Sequence, residues 1–377
     1  MVLPFHARSP PRLVVTGVAA FFFLLLLLAS GHTGSYLPTW PAACVTNSSS
    51  KNAIPNQVHY VYVLEDPTKD FSFQFSHFLS MYAANYHWRP HTIYLHTNVP
   101  ADSPTIARAH SGAAGKWTRL IFTHFPNLRL RTVPVPTHAD NGVELHYLEH
   151  RSDFVRVAAM AELGGVYIDF DVHALRDIRV LRESGFRGVA GRQPGGELNS
   201  GTFMAVQGAR MMQLWKERMN QVYDKEWTTH SNIALTTVGE RLVREEGEVL
   251  IMDQDAFAPV GSGEQDNMVL FAVRDGAVSN LEGVVQGDTL RTFDETFDER
   301  WAHPERFPKG VRDWSTTYMI HAFSPHRFPE RKIPGYEHIT PRYVLERQSN
   351  LARAVYPVAK MMYEQGLIEI DDSYLGI

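Results

Sequence analysis

The segment Gly164-Gly165-Val166-Tyr167-Ile168-Asp169-Phe170-Asp171 constrains this chain more than any other. Residues 166–168 are apolar, β-branched or aromatic, which predicts a short buried strand. Residues 152–163 precede it with Phe154, Val157, Ala158 and Ala161 on one side, the pattern of a helix. The paired glycines between them let the helix turn tightly into the strand. Two carboxylates follow at i and i+2, so they share one side of an extended chain. A buried strand that ends in acids points to a sheet whose ligands bind beyond the carboxyl ends of its strands.

The flanking sequence repeats the alternation. Residues 58–63 (VHYVYV), 92–96 (TIYLH), 128–135 (LRLRTVPV), 203–206, 249–252 and 317–322 read as further strands. Residues 70–86 carry Phe71, Phe75, Phe78 and Tyr82 at helical spacing, a stripe that belongs to the core. Helices are also expected over 210–223, 233–245 and 350–365. Strands alternating with helices give an α/β fold with a mixed, mainly parallel sheet flanked by helices. There is no internal repeat.

Residues 13–30 (LVVTGVAAFFFLLLLLAS) contain no charge and are long enough for a marginal membrane span. Arg8 and Arg12 precede them, which keeps the N-terminus cytosolic and sends the rest across the membrane. An uncleaved signal-anchor is the expected reading, and a cleaved signal peptide is its rival. Residues 31–53 are rich in Gly, Ser, Thr, Pro and Asn and read as a flexible lumenal stem, in which Asn47-Ser48-Ser49 is a glycosylation acceptor pattern. The expected organisation is therefore a cytosolic tail (1–12), an anchor (13–30), the stem (31–53), a catalytic domain (54–348) and a helical C-terminal extension (349–377). That is the single-pass type II plan of a Golgi membrane protein. The only cysteine, Cys44, excludes a disulfide within one chain; it could pair between two chains in a homodimer or stay a free thiol. The net charge is −5 with no run of Lys or Arg, which argues against a nucleic-acid partner.

Asp169 and Asp171 held close together repel unless a cation lies between or near them. A hard divalent ion with oxygen ligands suits them, and its open positions suit a diphosphate. Such an ion can neutralise a leaving nucleoside diphosphate as a Lewis acid. The bland alternative is a pair of solvated strand-end carboxylates. Asp153 and Arg156, at i and i+3, share one face of the preceding helix. They read either as an intrahelical ion pair or as a hydrogen-bonding fork for hydroxyls or phosphate.

The block Ser152-Asp153-Phe154-Val155-Arg156 followed by Glu162-Leu163-Gly164-Gly165-Val166-Tyr167-Ile168-Asp169-Phe170-Asp171 resembles the signature of the glycosyltransferases that share a DXD sugar-binding region, family 32. The start, Ile54-Pro55-Asn56-Gln57-Val58-His59-Tyr60-Val61-Tyr62, is similar to that family's first strand. The resemblance covers about half of the chain. It implies a GT-A-like, Rossmann-like fold, a UDP- or GDP-linked sugar donor, Mn2+ or Mg2+, and retention of anomeric configuration. It also implies transfer of a hexose (mannose, galactose or GlcNAc) to a glycan or glycolipid acceptor. Carried over by position, Asp171 binds the metal and Asp169 contacts the ribose, or the metal through water. Asp153 and Arg156 hold hydroxyls of the donor sugar. Tyr62 takes the place of a Trp that stacks on the nucleobase in related toxins. Asn199 resembles the family's Asn near the donor sugar, and His321 the late histidine of the metal or diphosphate site. The Trp that usually follows this His closely is missing; Ser324-Pro325-His326 stands there. The acceptor side is expected in loops around 260–282 and in the C-terminal tail.

Two other readings compete. One is a catalytically inactive membrane protein that still binds a nucleotide sugar. The other is an aspartate-nucleophile phosphohydrolase, whose motif normally opens its domain and carries Thr or Val where His173 stands. His59, His138, His146, His150 and His173 make no zinc spacing and read as structural or surface residues. Gly195-Gly196 and Gly261-Ser262-Gly263 lack the Lys and Ser/Thr of a phosphate loop.

Overall fold

The computed structural model describes residues 53–287, 297–307, 310–325 and 332–377. The expected tail, the anchor, the stem up to residue 52, Cys44 and Asn47 lie outside these described residues. Among the described residues no helix is long and apolar enough to cross a membrane.

The strands are β1 (Gln57–Val61), β2 (Thr92–Thr97), β3 (Leu128–Thr132), β4 (Gly165–Ile168), β5 (Val172–Ala174), β6 (Gly188–Arg192), β7 (Leu198–Ala205), β8 (Val249–Met252) and β9 (Met319–His321). The main sheet runs β3-β2-β1-β4-β7-β6-β8. β7 pairs antiparallel with both β4 and β6, whereas the other pairings are parallel. The helices include α1 (Phe75–Trp88), α2 (Leu148–Leu163), α3 (Arg210–Val222), α4 (Ala234–Leu242) and α5 (Asn350–Glu364). The architecture is thus α/β, with a mainly parallel sheet flanked by helices. Central strands carry near-continuous apolar runs: Val58 and Tyr60 of β1 and Val166 and Ile168 of β4 have no exposure.

α2 enters β4 through two left-handed glycines. Gly164 has φ +66° and Gly165 φ +108°. A Cβ on Gly164 would lie 2.4 Å from the Gln207 amide nitrogen, and one on Gly165 would lie 2.7 Å from the Gln57 carbonyl oxygen. Any side chain at either place would push the helix off the sheet. Gln57 seals the junction by donating to the Leu163 carbonyl at 2.8 Å.

Several sequence expectations shift in position. The 70–86 helix starts only at Phe75, because Gln74 and His77 form its capping box. Phe71 and Phe73 before it are extended yet still buried. The third strand stops at Thr132, ahead of Pro134, which has no N–H for the ladder. The expected strand over 317–322 does not join the main sheet. Its centre, β9, pairs antiparallel with β5 in a separate two-stranded sheet. Three-residue strands carry too little alternation to reveal a partner. β6 (GVAGR) went unread because glycine weakens any strand signature. The C-terminal residues are sewn onto the domain: Phe75 N–H donates to the Tyr374 carbonyl at 2.8 Å, and Trp117 Nε1–H to the Ser373 carbonyl at 3.0 Å.

His59 of β1 and His96 of β2 face each other in the core with no exposure, their Nδ1 and Nε2 atoms 2.9 Å apart. Burial pushes the His96 imidazole down to about 4 and holds that of His59 well below the ordinary value. Both rings stay neutral in the folded chain below pH 6.5, where the unfolded chain takes up protons. Folding stability must therefore fall as pH drops from 6.5 towards 4. For His96 alone the loss is on the order of 3 kcal/mol across that window. Denaturant unfolding at stepped pH should show it, and His96→Gln should flatten the slope.

Candidate functional site

The acids, the histidine and the helical ion pair converge because three local structures end at one place. β4 delivers Asp169 and Asp171 at the sheet's carboxyl edge, and a tight turn closes from the Val172 N–H to the Asp169 carbonyl at 3.0 Å. β5 leaves that turn and pairs with β9, which sets Val172 opposite His321. The Ala322 N–H donates to the Asp171 carbonyl at 2.8 Å. Asp169, Asp171 and His321 each offer one ligand atom, all within 4.8 Å of one another. His321 Nε2 lies 3.2 Å from Asp171 Oδ1.

The residues present fit a divalent cation. Two carboxylates and an imidazole are a hard-to-borderline donor set. Burial, and after it the charge of Asp171, push Asp169 above the usual carboxylate range against the opposing pull of Arg156. A cluster that resists its own negative charge is one that a cation relieves. Gly201 keeps the space open: a Cβ there would come 2.4 Å from His321 Cε1 and 2.7 Å from Asp169 Oδ2.

Around this cluster the protein fixes each side chain. Asp169 Oδ1 accepts from the Tyr167 hydroxyl at 2.5 Å, and Oδ2 accepts from Arg156 at 3.2 Å. Arg156 is buried, donates to the Ser200 carbonyl at 2.8 Å, pairs with Asp153 and lies over the Tyr167 ring at 5.0 Å. The second oxygen of Asp153 meets His230 Nε2 at 2.7 Å. Burial works against the charge on Asp153, but Arg156 and the His230 bond outweigh it and hold its pKa below the ordinary value. Asn199 bridges the two sides of the site. Its amide nitrogen and oxygen lie 2.9 and 3.1 Å from His321 Nδ1, and its oxygen also accepts from the Gly201 N–H at 2.8 Å. One amide thus meets His321 in either tautomer.

A cavity of about 140 Å³ is lined by Asp153, Arg156, Asp169, Asn199 and His321, together with Gln193, Ser231 and Asn232. Of the residues singled out from sequence, these five line it, and Asp171 borders it through His321. Tyr62 stands apart from it. Its ring packs on Phe73 at 4.3 Å and meets Phe170, the residue between the two acids, edge-on at 5.8 Å. The aromatic that follows the late histidine is Phe323, stacked on His321 with centroids 3.8 Å apart. It is held at φ +46°, a conformation that costs a bulky residue energy. Ser262 brings the 260–282 loop to the cavity.

Sequence reasoning missed the wall that carries His230 and Asn232. Both lie at or in a single π-helical turn, Thr229–Ile233, between α3 and α4. Asn232 donates to Gln193 Oε1 at 3.0 Å and to the Leu198 carbonyl at 3.1 Å. The only local signal was a run of polar residues, Thr228-Thr229-His230-Ser231-Asn232, that ends up largely buried. π-turns of this kind concentrate at functional sites.

Comparison with known proteins agrees with the resemblance noted in the sequence. Residues 116–186 match the family described as glycosyltransferase sugar-binding region containing DXD motif. Glucan organizing enzyme 1 of Cryptococcus neoformans var. grubii serotype A is 31% identical over 127 residues. That match covers 33% of this chain, and the chain spans only 30% of the relative's length. Among solved structures, the apo-form glycosyltransferase GlyE of Streptococcus pneumoniae is 12% identical with TM-score 0.39, over 83% of this chain and 62% of that one. The galactosyltransferase LgtC in complex with donor and acceptor sugar analogs is 11% identical with TM-score 0.37, over 83% of this chain and all of that one. Within the matched stretch the pattern Asp-x-Asp occurs once, at Asp169-Phe170-Asp171. Residues 116–186 of this chain thus match a glycosyltransferase sugar-binding region containing a DXD motif, and the one Asp-x-Asp within them is Asp169-Phe170-Asp171.

Proposed function

We propose that the protein is a metal-dependent, retaining glycosyltransferase of GT-A type. It would move a hexose from a UDP- or GDP-linked donor to a glycan or glycolipid acceptor. The observation that carries this is the convergence of Asp169, Asp171 and His321, of which Asp169 and His321 line a cavity together with Asp153 and Arg156. Mn2+ or Mg2+ held by Asp171, His321 and Asp169 would supply Lewis acidity towards a diphosphate.

The chain's own residues do the rest. Arg156 neutralises Asp169 and ties it to α2, so the acid keeps its place whether or not donor is present. Asp153 is locked by Arg156 and His230 and keeps its charge, which makes it a strong, fixed acceptor for sugar hydroxyls. The Asn199 and Asn232 amides and Gln193 read further hydroxyls along the same wall. Among the described residues that line the cavity, Arg156 is the only Lys or Arg, and it is already matched to two carboxylates. That electrostatic balance suits a neutral sugar. Tyr62, just past β1 on the same sheet edge, is the proposed partner of the base.

Donor hydrolysis with Mn2+ across UDP- and GDP-hexoses is the direct test. Asp171→Ala should lower turnover at least about a hundredfold, since a bound metal ion contributes several kcal/mol and each 1.36 kcal/mol is a decade. Full turnover in a folded Asp171→Ala variant overturns the assignment. Donor binding without any wild-type turnover would instead favour the inactive binding protein. Gly201→Ala should weaken Mn2+ binding at least about tenfold, read by electron paramagnetic resonance of free Mn2+, because its methyl enters the space between His321 and Asp169. We also assign residues 13–30 as a signal-anchor that places the domain in the Golgi lumen. Protease digestion of sealed vesicles should then leave residues 54–377 intact, and digestion of the domain without detergent would exclude this placement.

A further inference from the structure

We propose that Trp227 and Tyr147, at the mouth of the cavity, form a stacking platform for a pyranose ring of the acceptor. The word acceptor rests on the transferase reading above; the sugar-binding surface itself does not.

Large aromatics in this domain are mostly buried, but Trp227 is 45% and Tyr147 51% exposed, and they adjoin. Their ring centroids are 6.2 Å apart at 63°. Neither is a loose surface side chain. Buried His150 lies behind both, 5.0 Å from the Trp227 ring and 4.9 Å from the Tyr147 ring, and is itself held by the Tyr223 hydroxyl at 2.9 Å. Exposed aromatic surface that is backed in this way marks a contact site. Trp227 also lines the cavity that contains Asp169 and His321, together with Glu149, Thr228 and Ser231.

The position relative to the acids decides what can sit there. From the acidic cluster, contacts run through Arg156 to Asp153, then to His230 at 2.7 Å, to His150 at 4.5 Å between rings, and on to Trp227. Asp153 lies between the platform and the acidic cluster. The metal-ligating side would take the phosphates, so the platform lies beyond the sugar-binding acid, where an incoming hydroxyl must arrive. A pyranose ring has an apolar C–H face and a rim of hydroxyls. The indole and phenol offer the flat apolar face, and Glu149, Thr228 and Ser231 offer hydrogen bonds to the rim. A lipid tail fits badly, since Asp224, Lys225 and Glu226, all exposed, directly precede Trp227.

Saturation-transfer NMR with methyl α- and β-glycosides of mannose, galactose and glucose tests the platform without any donor. The wild-type protein should transfer saturation to the ring C–H protons of one face of at least one glycoside. Trp227→Ala should weaken that binding about threefold to tenfold, the range expected for loss of one aromatic contact. Trp227→Phe should recover most of it, which loss of folding could not explain. Tyr147→Ala should weaken it in the same direction. In the presence of donor, the ratio of transfer to a methyl glycoside over transfer to glycerol should fall in Trp227→Ala by a similar factor, because glycerol has no ring to stack. Equal binding by wild type and Trp227→Ala overturns the platform, as does the absence of a signal for every glycoside. Trp227-dependent binding in a protein that turns over no donor keeps the platform and overturns the transferase reading. Turnover that is indifferent to Trp227 does the reverse.

Discussion

The buried guanidinium of Arg156 organises this site. It is set among Asp153, Asp169 and, farther off, Asp171, and their charges hold it protonated despite its burial. Breaking a buried pair costs about 3–5 kcal/mol because the remaining charge has no water to turn to. Here more than one carboxylate would be left uncompensated at once. Arg156 also ties helix α2 to the end of β4 and to the Ser200 carbonyl of β7. The acids therefore have unequal freedom. Asp169 is paired with a cation from within the protein, while Asp171 faces His321 across 3.2 Å.

That arrangement holds only where side chains are absent. The Arg156 face of α2 reaches the end of β4 because Gly164 and Gly165 take left-handed conformations against the backbone of β1 and of the residues after β7. Gly201 then keeps the room between Asp169 and His321 open. The first two glycines allow the backbone to approach closely. The third has an ordinary backbone and is required only because of what a methyl group would touch. Both kinds of constraint act on the same few side chains, so steric and electrostatic demands select one geometry here.

What could be read from sequence follows the range of each interaction. β1, β2, β4 and β8 were visible because their apolar runs are local and continuous. Asp153 and Arg156 were visible as a pair because i and i+3 meet on any helix. His230 was not, since its partner Asp153 lies 77 residues away and nothing in the intervening sequence couples them. The same holds for the β5–β9 pairing, where three residues on each side give no register until the turn after Asp171 is built. His321 and Asn199 could be singled out only through resemblance to a family. Their mutual contact, with 122 residues between them, is a property of the fold alone. Tyr62 shows the converse. Its place after β1 was legible, but its packing against Phe73 and Phe170, away from the residues that line the cavity, was not.

The contact between Asn199 and His321 bears on how a metal site can be built beside a buried ion pair. With Nε2–H turned towards Asp171, Nδ1 accepts from the Asn199 amide nitrogen. With Nε2 presenting its lone pair to a cation, Nδ1–H donates to the Asn199 oxygen, which lies 3.1 Å away. Neither state leaves a buried ring nitrogen without a partner, so the cost of an unsatisfied polar group, about 1–3 kcal/mol, falls on neither. A carboxylate in place of Asn199 could only accept, and it would add another negative charge beside Asp169 and Asp171. A hydrophobe could do neither. An amide is the side chain of this size that serves both forms of the histidine, which gives Asn199 a role in the site without requiring that it touch the sugar.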